Sequence, residues 1–168
     1  HGFYLGKVAY HLPGIPGTAP YASHAAHFAG GVLHRNTEDL PSDHYTAILW
    51  LWNGVGGESI ELMNLRETLG IAKDGRLFLA NEVGHLNGKR MLEPRQWHQV
   101  ALVRNGDQLA VYLNGAVEIT GEMPGWQPGE EFEIGSKKFQ GKLDEVAIFH
   151  RALGAETIMA LHAKADPK

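Results

Sequence analysis

Three sets of side chains in this sequence have the types and spacing for chemistry. The first is a pair of carboxylates, Glu131 and Glu133, two positions apart in a run that reads as a strand, so both share one face. Glycoside hydrolysis needs two carboxyl groups about 5 to 10 Å apart on opposite sides of the scissile bond. Two glutamates on one strand face read more simply as a solvated surface. The second set is Asp144-Glu145, whose side chains point to opposite faces of a strand, so that one can turn inward. A buried carboxylate must be paired or ligated. Backbone donors or a cation such as Arg151 would satisfy Asp144. The third set is histidine, of which there are ten. His24, His27, His34 and His44 cluster in sequence, but the His24-x-x-His27 spacing puts the two rings on opposite strand faces, which is wrong for one ion. Ordinary surface histidines are expected there. The chain has no cysteine, which excludes thiolate chemistry and cysteine-ligated zinc. No G-x-S-x-G motif occurs, and Gly54-Val55-Gly56-Gly57 opens no helix, so it is no phosphate loop.

Aromatic residues add a binding chemistry. Sugars present apolar C–H faces that stack on rings. Trp50, Trp52, Trp126 and Tyr112 are the candidate platforms. Trp50, Trp52 and Trp97 read as core residues of strands. Trp126 lies in Met123-Pro124-Gly125-Trp126-Gln127-Pro128-Gly129, a loop by composition, where rings more often serve binding. Trp126 and Tyr112 are therefore the candidate ligand-binding residues.

The elements that must position these groups are mostly strands. Turn signals recur every 8 to 12 residues between short β-branched and aromatic runs, the pattern of an all-β sandwich or barrel. An edge strand is expected over 3–12 and a second strand over 26–34, with Gly30-Gly31 allowing a bulge. The run 45–53 is apolar on both faces and should sit centrally, covered on both sides or lining a groove. Shorter strands are expected over 59–64, 69–72 and 77–81, with Asp74-Gly75 as a tight turn. Residues 97–121 read as a three-stranded meander turned at Asn105-Gly106-Asp107 and Asn114-Gly115. Strands over 131–135 and 142–149 follow, then a helix over 155–163 on the spacing of Ala155, Ile158, Met159 and Leu161.

The bulk numbers bound the answer. At 168 residues the chain suits a single domain, 1–168, with a core that needs no staples. Its formal net charge is -4 and no Lys/Arg block is present, which argues against nucleic acid and against an anionic membrane surface. No run approaches the roughly 20 apolar residues of a membrane span. The chain starts at His1 rather than Met, which reads as a domain excised from a longer protein.

Four motifs in order then carry a resemblance. Trp97-His98-Gln99-Val100-Ala101-Leu102-Val103-Arg104 and Leu109-Ala110-Val111-Tyr112-Leu113-Asn114-Gly115 resemble the W-H-x-V-A-x-V … Y-x-N-G core of laminin-G-like jelly-roll domains, within the concanavalin A-like lectin/glucanase superfamily. Gly141 to Phe149 resembles the family's closing strand, and Arg151-Ala152-Leu153-Gly154-Ala155-Glu156 the segment leading into its last helix. His27 to Gly31 and Tyr45 to Trp50 resemble its earlier strands, while residues 1–24 are only loosely assigned. The resemblance implies a two-sheet antiparallel jelly roll with a short C-terminal helix. It implies a non-catalytic accessory module that binds carbohydrate or another extracellular polymer. The alternative is a structural or protein-interaction domain, working with neighbouring domains of a larger exported bacterial protein, periplasmic or extracellular. A glycan-active enzyme is the third reading. Catalytic relatives resemble one another in an E-x-D-x-x-E signature, which Gly135 and Ser136 leave incomplete here. The family also suggests calcium at the sandwich rim, with Asp144 as the candidate ligand. The D-G-x-D-D segment of many relatives reads Ala29-Gly30-Gly31-Val32-Leu33 here, without an acid.

Overall fold

The computed structural model describes residues 3–16, 23–36, 43–124 and 131–165. Among them are fourteen strands and one helix. In chain order these are β1 (Phe3–Leu5), β2 (Val8–Pro13), β3 (His24–Ala29), β4 (Val32–Asn36), β5 (His44–Asn53), β6 (Ile60–Asn64), β7 (Thr68–Ile71), β8 (Arg76–Ala80), β9 (His85–Met91), β10 (Trp97–Asn105), β11 (Gln108–Leu113), β12 (Ala116–Glu122), β13 (Glu131–Gly135), β14 (Gln140–Phe149) and α1 (Ala155–Ala165). They form two seven-stranded antiparallel sheets. The first runs β1-β4-β13-β6-β7-β8-β9 and the second β12-β11-β10-β5-β14-β3-β2. This is the jelly-roll sandwich with a C-terminal helix that the sequence predicts.

Glycines explain where the two earliest expected strands divide. The expected strand over 3–12 breaks at Gly6, whose φ of 83° only glycine adopts freely. Its halves, β1 and β2, end up as the outermost strands of different sheets. The expected strand over 26–34 likewise breaks at Gly30 (φ 82°), and β3 and β4 lie in opposite sheets. The chain thus crosses the sandwich twice within its first 36 residues.

Strand alternation builds the core. Tyr45, Ala47, Leu49 and Leu51 of β5 face inward with Val100, Leu102, Leu77, Leu79, Phe132 and Ile134. β5 pairs with β10 on one side and β14 on the other, so it is central, as its two apolar faces require. Among the described residues an ion pair lies inside: Arg104 meets Glu67 through Nη1, and Tyr45 Oη donates to Glu67 Oε2 at 2.6 Å. Arg104 Nη2 also donates to the Met123 carbonyl at 2.8 Å. Burial raises the Tyr45 phenol well above its usual range and lowers the Arg104 guanidinium.

The two long edges of the sandwich differ. At one edge β9 and β12 lie side by side. Glu118 clamps them, accepting from Lys89 N, from Arg90 N at 2.6 Å and from Arg90 Nε at 2.6 Å. Burial works to raise its carboxyl, but those donors and the Arg90 charge outweigh it and hold the group below the usual range. At the other edge, between β1 and β2, the sheets stay apart and a cleft opens.

Candidate functional site

The outer faces of the two sheets have different fates. α1 lies on the second sheet, where Leu153 and Ile158 pack with Ile48, Ala101, Val103 and Tyr112. His162 stacks on Trp50, centroids 5.4 Å apart. Tyr112 is thus a buried member of the layer under the helix, not a ring offered to a ligand. Trp50 is buried as well, whereas Trp52 and Trp97, opposite each other across β5 and β10, are half-buried. The Lys142 ammonium sits 5.3 Å from the centroid of the Trp52 ring. Trp126 lies outside the described residues.

No described helix lies on the first sheet. Its outer face carries a groove of about 640 Å³ across β13, β6 and β8. Phe78 is the aromatic group there. Leu77 and Leu79 go to the core, so alternation turns Phe78 outward. Its ring lies over Gly70, where a Cβ would come within 2.4 Å of Phe78 Cζ. His85 stacks beside it, nearly parallel at 12° and 5.4 Å between centroids. Glu61 and Asn64 of β6 and Glu133 of β13 add oxygen and amide groups, and Ser136, Lys137 and Lys138 close one end. His34 Nδ1 lies 3.4 Å from Glu133 Oε1. Ser136 Oγ is buried without a partner among the described residues. Two glutamates and two lysines balance the charge of the groove.

Asp144 lies in β14, which runs between β5 and β3 in the second sheet. Its Oδ2 accepts from Ile15 N at 3.2 Å and from Ser23 Oγ, and its Oδ1 accepts from Glu145 N at 2.8 Å. Backbone donors and a serine therefore satisfy this buried carboxylate, and no ion pair between it and Arg151 is among those of the described residues. His98 has Nε2 2.9 Å from the Glu93 carbonyl.

A family model of the concanavalin A-like lectin/glucanases superfamily, of laminin-G type, matches residues 29–159. The chain belongs to that family. Among solved structures, domain 4 of AbnA, a GH43 extracellular arabinanase from Geobacillus stearothermophilus in complex with arabinotriose, superimposes on this laminin-G-type domain with a TM-score of 0.76 at 19% identity, covering 96% of this chain and 87% of that one. The binding domain of botulinum neurotoxin DC in complex with SialylT gives 0.71 at 13% identity, over 99% of this chain and 46% of the other. Trypanosoma rangeli sialidase gives 0.69 at 14% identity, over 82% of this chain and 27% of the enzyme. No curated protein matches the domain by sequence.

Calcium, which the family suggests, does not fit the residues around Asp144. Both of its oxygens already accept donors, and among the described residues no group of three or more histidines and acids is placed to hold a metal. Glu131 and Glu133 both lie in β13, and Glu133 Oε1 is 3.4 Å from His34 Nδ1. Sequence reasoning missed Phe78, Glu61 and Asn64. Phe78 had a readable signal, a ring at the solvent position between two core leucines. Glu61 and Asn64 look like ordinary exposed residues until the sheet brings them beside it.

Proposed function

We propose that this domain is a non-catalytic carbohydrate-binding module, and that the groove on the first sheet holds the glycan. The observation that carries this is the half-buried Phe78 ring, set over Gly70 beside His85 among Glu61, Asn64 and Glu133 on the sheet face that no described helix occupies. A sugar ring stacks its C–H face on such a ring while carboxylate and amide groups take its hydroxyls. The balanced charges favour a neutral, hydroxyl-rich ligand over a polyanion. The arabinotriose and SialylT complexes of the two structural neighbours support a glycan as the ligand class. The module would serve a larger exported protein as an accessory part, holding its neighbouring domains near a polymer. No described helix is long and apolar enough to cross a membrane.

Affinity electrophoresis against arabinan, xylan, mixed-linkage glucan and galactan tests this. Retardation by at least one polymer, weakened in Phe78→Ala and in Glu61→Ala/Asn64→Ala, is the expected result. Trp126→Ala belongs in the same series, because that loop ring is a second candidate platform. Blank lanes throughout, with a protein partner recovered instead, would favour the interaction-domain reading. Release of reducing sugar, lost in Glu133→Gln, would establish an enzyme.

A further inference from the structure

The open edge of the sandwich holds a second concavity, of about 680 Å³, between β1 and β4 of the first sheet and β2, β3 and β14 of the second. Its floor is apolar, made by Leu33, Phe132 and Leu143. Its rim is aromatic and polar. Tyr10 and Tyr4 stand edge to face with centroids 5.0 Å apart, 52% and 41% exposed. His11 and His24 stand edge to face beside them at 5.7 Å. Large exposed rings next to an apolar floor are the arrangement expected of a ligand site, not of a solvated edge.

The backbone gives an independent observation. Among the described residues five other than glycine have positive φ, and two of them, His11 (φ 58°) and Glu145 (φ 47°), line this one cleft. Each sits in a β-bulge, between Ala9 and Leu12 on β2 and between Asp144 and Ala147 on β14. Bulges re-aim side chains, and left-handed non-glycine residues persist where the surroundings force them, often at functional sites. The force at Glu145 is visible. Asp144 Oδ1 takes the Glu145 N–H while Oδ2 takes Ile15 N and Ser23 Oγ, tying the bulge to the neighbouring segments. Gly14 makes room for that tie, since a Cβ there would fall 2.2 Å from Asp144 Oδ2. A glutamate is thus held in a conformation that a glycine would adopt without strain, at the mouth of a cleft rimmed by tyrosines.

We infer that the edge cleft is a second glycan site, so that one module carries two. Tyr4 and Tyr10 supply the stacking faces, and Glu145 with His11 and His24 hold hydroxyls. The inference rests on the glycan reading of the domain but uses different residues, so the two can fail separately. The test is calorimetric titration with the neutral oligosaccharide of whichever polymer retards the protein. Four proteins are compared: wild type, the cleft variants Tyr10→Ala and Glu145→Gly, and the groove variant Glu61→Ala/Asn64→Ala. Two sites are expected in wild type and one in each variant. Glu145→Gly should also keep or raise its melting temperature while losing its site, a split that a merely structural glutamate would not give. A single site in wild type, untouched by both cleft variants and lost in the groove variant, overturns the second site and leaves the groove standing. A single site lost only in the cleft variants removes the groove and keeps the cleft. No binding by any of the four proteins overturns both.

Discussion

Phe78→Ala removes the platform on which the glycan reading depends, and its size can be worked from the structure. A sugar face laid on the ring buries about three C–H carbons, and at about 0.8 kcal/mol per buried methylene that is roughly 2 kcal/mol. Every 1.4 kcal/mol is tenfold, so Kd should rise by about 30-fold. The same truncation costs folding something, because Phe78 is half-buried over Gly70. A fully buried Phe→Ala costs about 3–5 kcal/mol, so a loss of roughly 2 kcal/mol is expected here. For a chain of this length that lowers Tm by about 4–8 °C, which leaves the protein folded at 25 °C. Calorimetric titration at 25 °C, with circular dichroism to show the fold intact, separates the two effects. His85→Ala, which leaves the ring in place, should move Kd by only a few-fold. A folded Phe78→Ala protein that binds as tightly as wild type would refute the assignment of the groove.

Further outcomes follow from the core and the closed edge. Glu67→Ala strands the buried Arg104 cation and should cost about 3–5 kcal/mol in urea unfolding, whereas Glu67→Leu with Arg104→Met and Tyr45→Phe, which also removes the phenol that donates to Glu67, should cost clearly less. Equal losses in the two proteins would contradict this account of the pair. Glu118, held below its ordinary range, stabilises the fold above the pKa of an unfolded glutamate, about 4.3, and that stability is lost as pH falls through the lower folded value. Glu118→Gln should therefore lower Tm at pH 7 and narrow the gap to wild type below pH 4; a gap constant across that range would count against the clamp. Chelation by EDTA should leave Tm unmoved, because the oxygens of Asp144 are taken by hydrogen-bond donors. A fall of several degrees, restored by calcium, would show a metal site.

Much of the fold is legible in the sequence because local chemistry specifies it. The meander is marked by turns whose residues take the left-handed conformations that Asn and Gly tolerate: Gly106 at φ 63°, Asn114 at 51° and Gly115 at 75°. The helix is legible from the spacing of Ile158 and its neighbours, and extends two residues past the expected end to Ala165. β9 escapes notice because His85–Met91 is an edge strand with mostly exposed residues and a glycine inside it, so no apolar alternation announces it. Gly88 is there for a long-range reason, since a Cβ would come within 2.9 Å of Glu118 Oε1. The division of the first two expected strands is also long-range: Gly6 and Gly30 allow the crossings, but only the packed sandwich requires them.

The sites are less legible than the fold. Tyr112 looks like a platform in its strand, yet α1, which begins 43 residues on at Ala155, covers it. Asp144 is singled out as a carboxylate with a demand for partners, and the adjacent Glu145 N–H is one of the neighbouring backbone donors expected, but its other partners come from Ile15 and Ser23, at the other end of the chain. The groove joins Glu61, Phe78 and Glu133 from three strands, and the cleft joins Tyr10 to Glu145. Sheet order decides these meetings, and no short motif encodes it.

The most direct test of the binding account is a heteronuclear NMR titration of the labelled domain with a neutral oligosaccharide, following the protein amides and the sugar's anomeric signals together. The account predicts saturable shifts centred on Glu61, Asn64, Phe78 and residues 133–138, with a second set around Tyr4, Tyr10 and Glu145 if the edge cleft also binds, and with the sugar intact after a day. Shifts confined to the helix-covered face, no saturable shift with any glycan, or new anomeric signals from cleaved sugar would contradict it.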